Sequence, residues 1–199
     1  MSVVVLDFGG VLSEPEGKEA VVAAVWGVDP VALEGPYWRH RQPYDEGCSN
    51  LAYWSAVADD LGEPMDEELA NRLGRADAKA WAPIRPEAEA ILRDLAEAGV
   101  PTALLSNAPV DLLAALEAMP WRRHVGEVFV SGVLGESKPD PAIFALVEKA
   151  LGVPADQIVF VDDRQVNLDG AEAVGWRTHL WTSDAATRAF LVEGGWLTR

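Results

Sequence analysis

At 199 residues, about half of them hydrophobic, the chain is long enough to bury a sizeable core, as one domain or as a core carrying an insertion. A formal net charge of −16 opposes nucleic-acid backbone and anionic membrane as main partners, and no apolar run is long enough to cross a bilayer. The single cysteine, Cys48, cannot close an internal disulfide and no basic segment precedes the first apolar run, so the expectation is a soluble cytoplasmic protein without a signal peptide.

The first element is the run Val3 to Leu6, apolar at every position, which reads as a strand buried on both faces. It delivers Asp7 into a turn containing Gly9 and Gly10, where backbone can come close to a ligand. A turn-rich connection at Ser13 to Gly17 follows. Helical patterns then cover Lys18 to Trp26, Pro30 to about Trp38, Ser49 to Leu61 with Ser49 as N-cap, and Asp66 to Trp81. No strand pattern interrupts them, and Pro83-Ile84-Arg85-Pro86 makes a stiff boundary. Residues 13–83 are therefore expected to be an all-helical insertion, and residues 1–12 with 84–199 the core.

From Pro86 onward helix and strand alternate. Helices are expected at Glu87 to Ala98, Val110 to Met119, Pro141 to Leu151, Asn167 to Val174 and Ser183 to about Val192. Between them lie strands at Thr102 to Leu105, Val128 to Val130, Ile158 to Val161 and Arg177 to Trp181. Such alternation with short glycine-marked joints specifies an α/β fold, a Rossmann-like parallel sheet covered by helices on both faces. Ligands of such sheets bind beyond the carboxyl ends of the strands, where Asp7, Ser106 and Asp162-Asp163 fall. Asn167 also suits a helix start, since Asn is a good N-cap.

Four features in order carry a resemblance: strand-Asp7, strand-Ser106-Asn107, Lys138-Pro139-Asp140-Pro141 opening a helix, and strand-Asp162-Asp163. Together they resemble the haloacid dehalogenase superfamily over essentially the whole chain, and the helical insertion is similar to that superfamily's cap. Within it the likeness is greatest to cytoplasmic small-molecule phosphatases, including bacterial phosphatases of sugar 1-phosphates such as alpha-glucose-1-phosphate. The resemblance implies that Asp7 forms an aspartyl-phosphate and binds Mg²⁺, with the Gly9 carbonyl and Asp163 as further ligands and Asp162 binding directly or through water. It implies that Ser106 and the Asn107 amide hold the phosphoryl oxygens and that Lys138 neutralises Asp7 and the transferring group. A carboxylate nucleophile needs such neutralisation, and a hard divalent cation supplies it. The implied partner is a small phosphorylated metabolite; none of these motifs specifies an oligomeric state.

The chain departs from the family at one place. Family phosphatases carry a second Asp two residues after the nucleophile, which protonates the leaving oxygen and later activates water; here Gly9 stands there. General acid-base help is worth about 10²–10⁴-fold in rate, so turnover need not be lost. A sugar 1-phosphate, whose leaving group departs more easily as an anion, fits this gap, and Glu14 is weighed as a substitute acid. The alternatives are a catalytically reduced member that binds a phosphorylated ligand or a protein partner, and a metal-independent haloacid dehalogenase.

Tyr37 to Tyr44 is a basic and aromatic run in an acidic chain. By the resemblance this part of the insertion faces the pocket, making Trp38, Arg39, His40 and Arg41 candidate substrate contacts; the other reading packs Tyr37 and Trp38 inside and leaves the charges in water. Trp26, Trp54 and Trp81 are expected in the core of the helical insertion.

Overall fold

The computed structural model describes residues 2–198. Strand β1 (Val3–Leu6) is followed by helices α1 (Lys18–Trp26), α2 (Pro30–Arg39), α3 (Arg41–Asp45), α4 (Asn50–Leu61) and α5 (Glu67–Trp81). Then come α6 (Pro86–Glu97), β2 (Thr102–Ser106), α7 (Asp111–Glu117), β3 (Glu127–Val130), α8 (Ser131–Leu134) and α9 (Pro141–Leu151). The chain finishes with β4 (Ile158–Asp162), α10 (Gln165–Ala173), β5 (Arg177–Leu180) and α11 (Asp184–Glu193). Among the described residues no helix is long and apolar enough to cross a membrane.

The strands form one parallel sheet in the order β3-β2-β1-β4-β5. The chain builds outward from β1 through β2 to β3, then returns to the other side of β1 to add β4 and β5. Neighbouring connections therefore leave in opposite directions between β1 and β4, which opens a crevice beyond their carboxyl ends. Register puts those ends level: Leu6 pairs with Leu104 on one side and Val161 on the other.

β1 has no polar position because it is covered twice. Val4 and Leu6 pack with Leu92, Leu95 and Leu116 on one face, while Val3 and Val5 pack with Phe144, Val147 and Phe160 on the other. Each such side chain contributes about 1.5–3 kcal/mol on burial, so a polar residue in β1 would be selected against on stability alone.

Helices α1 to α5 enclose a third apolar cluster, built on Leu33, Tyr37, Tyr44, Tyr53, Trp54 and Leu73. Ser49 caps α4 by accepting from the Ala52 amide at 3.2 Å, and Asp66 caps α5 by accepting from the Leu69 amide at 2.8 Å. Three expectations need correction. Asn167 does not start a helix: α10 begins at Gln165, and Asn167 lies buried inside it. Two short helices lie in stretches where none was expected, α8 of four residues after β3 and α3 of five residues opened by Arg41. Trp54 is fully buried in the helical cluster, but Trp81 packs instead against the sheet's cluster at the end of α5.

Candidate active site

Asp7 extends the β1 ladder by one bond, its amide donating to the Val161 carbonyl at 2.8 Å. Its side chain is turned back by the Phe8 amide, which donates to Oδ1 at 2.7 Å. Beyond it Gly10 has φ +83°, and a β-carbon there would lie 2.5 Å from Asp163 Oδ2. Glycine is needed at this point for both reasons: the left-handed turn and the approach of a second carboxylate.

Lys138 joins the strand ends. Its buried ammonium donates to Asp7 Oδ1 at 2.8 Å, Asp162 Oδ2 at 2.7 Å and the Leu105 carbonyl at 3.0 Å, which uses all three of its protons. Asn107 holds the lysine in place, its side-chain amide exchanging two 2.8 Å hydrogen bonds with the Lys138 backbone. Asn107 therefore has its side chain committed to the loop. Ser106, at the end of β2, is 4% exposed, and its hydroxyl has no side-chain or backbone partner among the described residues.

Asp162 is wholly buried, and both its oxygens are occupied. Oδ1 accepts from the Arg164 amide at 2.8 Å and Asn167 Nδ2 at 3.1 Å, and Oδ2 accepts from Lys138 and from Asn167 at 3.1 Å. Asp163 is exposed at the cavity and receives no side-chain donor among the described residues. Asp7, Asp162 and Asp163 each offer one carboxylate oxygen within 4.8 Å of the others. Burial pushes the Asp7 carboxyl up to about 7 against the pull of Lys138, with the Asp162 charge adding to the rise. Partial desolvation and the same Asp162 charge push Asp163 up. Lys138 is held above its usual range because its carboxylates outweigh the cost of burial. An all-oxygen donor set with more negative than positive charge suits a hard divalent cation such as Mg²⁺, and Asp7 with Asp163 are the carboxylates open to it.

These groups form the floor of a cavity of about 650 Å³, to which Asp7, Gly9, Ser106, Asn107, Lys138 and Asp163 all contribute. The opposite wall comes from the helical segment: Trp38, Arg41, Asp45, Glu46 and Trp81. Arg41 is 8% exposed and reaches the cavity from a buried network. Its Nε donates to Asp45 Oδ1 at 2.7 Å and its Nη1 to Asp77 Oδ2 at 3.0 Å and Tyr37 Oη at 2.5 Å. The Tyr37 hydroxyl donates to Asp77 Oδ1 at 2.5 Å and accepts from Trp81 Nε1 at 3.1 Å. Burial and the Asp77 charge raise the Tyr37 hydroxyl, so it stays a donor.

Of the four candidate substrate contacts, the structure brings Trp38 and Arg41 to the cavity and leaves Arg39 and His40 out. Arg39 Nη1 and His40 Nε2 both reach Asp60 Oδ2, at 2.6 and 2.8 Å, on the exposed side of the helices. Arg39 ends α2 and Arg41 opens α3, and across the break at His40 the first stays in solvent while the second turns inward. Glu14 is exposed and does not line the cavity, which removes the substitute acid considered above. Asp45, Glu46 and Trp81 are cavity residues that the motifs do not mark. The Arg41-Asp45 spacing of four is the one signal that could have drawn attention there.

A family model described as haloacid dehalogenase-like hydrolase matches residues 1–175. Phosphoserine phosphatase of Thermus thermophilus is 32% identical over 159 residues, covering 73% of this chain and 62% of that protein. Phosphoglycolate phosphatase of Pseudomonas syringae pv. tomato is 31% identical over 128 residues, covering 60% and 47%. The matches thus span roughly half to two thirds of these relatives' lengths. Among solved structures, a haloacid dehalogenase family enzyme from Bacteroides thetaiotaomicron in complex with magnesium and inorganic phosphate superposes with a TM-score of 0.70 at 18% identity, over 90% of this chain and 93% of that one. L-2-haloacid dehalogenase from Xanthobacter autotrophicus, with chloropropionic acid covalently bound, gives 0.71 at 24% identity over 98% and 83%. Both likenesses are of overall fold. With the match running from the first strand through the acidic pair and on past α10, this chain belongs to the haloacid dehalogenase-like hydrolase family.

Proposed function

We propose that the protein is a Mg²⁺-dependent phosphatase of a small phosphorylated metabolite, acting through Asp7. One observation carries this reading: carboxylate oxygens of Asp7, Asp162 and Asp163 converge within 4.8 Å beneath an open cavity, with one lysine to balance them. The phosphatases among the relatives support the same reaction class.

Asp7 attacks phosphorus, forming a P–O bond as the ester P–O bond to the leaving group breaks. Lys138 holds the attacking carboxylate in place and neutralises charge on the transferring group. The Ser106 hydroxyl and the Asn107 backbone amide bind phosphoryl oxygens, and Asn107's side chain keeps the Lys138 loop beside them. Asp7, Asp163 and the Gly9 carbonyl hold the Mg²⁺, and Asp162 supplies negative charge from behind while fixing Lys138 and Asn167. When bound, the cation withdraws charge from the phosphoryl oxygens and orients them.

Residues 13–83 act as a helical cap over a catalytic core made of residues 1–12 and 84–199. The leaving group is a sugar, as in a sugar 1-phosphate: Trp38 and Trp81 offer aromatic rings, and Arg41 and Gln42 offer polar groups for hydroxyls. The test is phosphate release from a panel of monoesters with Mg²⁺, wild type against Asp7→Asn. Release that falls more than about 10³-fold in the variant and stops with chelator is the expected result. Release that survives in Asp7→Asn would overturn the assignment, as would chelator-resistant turnover of 2-chloropropionate in place of any phosphatase activity.

A further inference from the structure

We propose that Asp45, brought in by the helical segment, performs the proton transfer for which position 9 has no side chain. This rests on the phosphatase reading and adds the residue that the reading lacks. A β-carbon at position 9 would lie in ordinary van der Waals contact with the Trp81 ring, 3.4 Å from Cζ3 and 3.9 Å from Cη2, so this ring from the helical segment borders the place that an acid there would occupy. The carboxyl groups lining the cavity are those of Asp7, Asp45, Glu46 and Asp163. Asp7 is committed as nucleophile and Asp163 to the cation, so the proton must travel through the pair at the end of α3.

Asp45 is the better placed of the two. Its Oδ1 is fixed by Arg41 Nε at 2.7 Å, while Oδ2 has no protein donor among the described residues. Its corner is anchored to the core three times. The Ser131 hydroxyl donates to the Asp45 carbonyl, and the Ser137 hydroxyl donates to Glu46 Oε1 at 3.1 Å. Gly47 meets Gly132 so closely that a β-carbon would lie 2.7 Å from the Gly132 carbonyl oxygen. These contacts hold the backbone that carries Asp45 against the core, and the carboxyl lines the same cavity as Asp7, as a positioned proton donor must. Glu46 is exposed, and its Oε1 is shared by Gln42 and Ser137.

The surroundings set the titration. Burial pushes the Asp45 carboxyl up to about 6 against Arg41, with Asp77 from α5 and Glu46 adding to the rise. Tyr53 from α4 and the Cys48 thiol are the other titratable groups near it. In the first step the proton leaves Asp45 for the leaving oxygen as the Asp7–phosphorus bond forms. In the second the Asp45 carboxylate takes a proton from water as that water's oxygen bonds to phosphorus, releasing phosphate and restoring both carboxyls.

Pre-steady-state release of the alcohol reads phosphoryl transfer to Asp7 alone, and it separates leaving groups that need a proton from those that do not. With Mg²⁺ bound, Asp45→Asn is expected to slow release from phenyl phosphate about 10²-fold or more while changing p-nitrophenyl phosphate by less than about 3-fold. The fall in phenyl phosphate rate as pH rises past about 6 should vanish in Asp45→Asn and survive in Asp45→Glu, which also serves if the amide variant folds poorly. Equal losses on the two esters, or a leaving-group-dependent loss in Glu46→Gln instead, would overturn the assignment. Absence of release from either ester by the wild type would sink the phosphatase reading itself, a separate outcome.

Discussion

Two buried ionic clusters border the same cavity, and their charges are balanced differently. In the core, one ammonium, Lys138, stands against Asp7 and Asp162, with Asp163 alongside and, among the described residues, without a side-chain donor. In the helical segment, one guanidinium, Arg41, stands against Asp45 and Asp77, and the Tyr37 hydroxyl fills the remaining place on Asp77. In the second cluster both Asp77 oxygens have donors supplied by the chain, and only Asp45 Oδ2 is left without one among the described residues. The first is left short of positive charge at Asp163, an exposed carboxylate lining the cavity, which is the condition for taking up a cation. Breaking a buried pair by removing one partner strands the other charge, whereas an incomplete set can be completed from solution.

The largest effects should come from removing the cation of each cluster. Arg41→Met leaves Asp77, 1% exposed, with only a tyrosine hydroxyl, and should cost about 3–5 kcal/mol. Lys138→Met should cost a similar amount in chelator. Urea unfolding with and without Mg²⁺ then separates them: the ion should recover part of the loss in Lys138→Met and none in Arg41→Met. Recovery in both or in neither would break the comparison.

How the two clusters read from sequence differs for a physical reason. Asp7, Ser106 and Asp162-Asp163 each close an unbroken apolar run, and the parallel sheet levels the ends of those runs, so position along the chain translates directly into position in space. The helical cluster has no such rule. Arg41 and Asp77 lie 36 residues apart on α3 and α5, and Asp77 sits in the stretch Asn71 to Lys79, whose polar residues look solvated until the helices pack. Trp81 reads as a core residue of its helix, yet the turn into the sheet domain carries it to the cavity above Gly9. Asn167 reads as a cap, but α10 starts two residues earlier and uses its amide to hold Asp162. Strand ends are set by local pattern, whereas the inner faces of short helices are set by what docks on them.

A smaller effect should appear in the pH dependence of the metal-free chain. Asp7 and Asp45 titrate at about 7 and about 6 in the folded state, above an ordinary unfolded aspartate near 4. A raised folded value means that the folded chain binds the proton more tightly. The stability each contributes is therefore complete below about pH 4 and lost as pH rises through the folded value. In chelator the urea midpoint should fall between about pH 5 and about pH 8. Saturating Mg²⁺ should cancel the Asp7 share by binding its ionised form, leaving the Asp45 share, and Asp7→Asn should remove the same share without the ion. A midpoint that rises over this range would mean that neither carboxyl is protonated in the fold.

The smallest effect should fall on an exposed ionic group outside both clusters. Arg39 and His40 meet on Asp60, and the arginine side chain is 62% exposed. Exposed pairs are worth about 0–1 kcal/mol, since water solvates the separated charges nearly as well. Arg39→Ala and His40→Ala should each shift stability by less than about 1 kcal/mol and leave the Michaelis constant of any substrate unchanged. Arg41→Ala, two residues on, should disturb both. The contrast tests burial more than charge: all three are basic, and only the one turned inward at the start of α3 pairs with buried Asp77 and lines the cavity. An altered Michaelis constant in Arg39→Ala would mean that the helical segment presents a different face to the substrate from the one that holds Arg41.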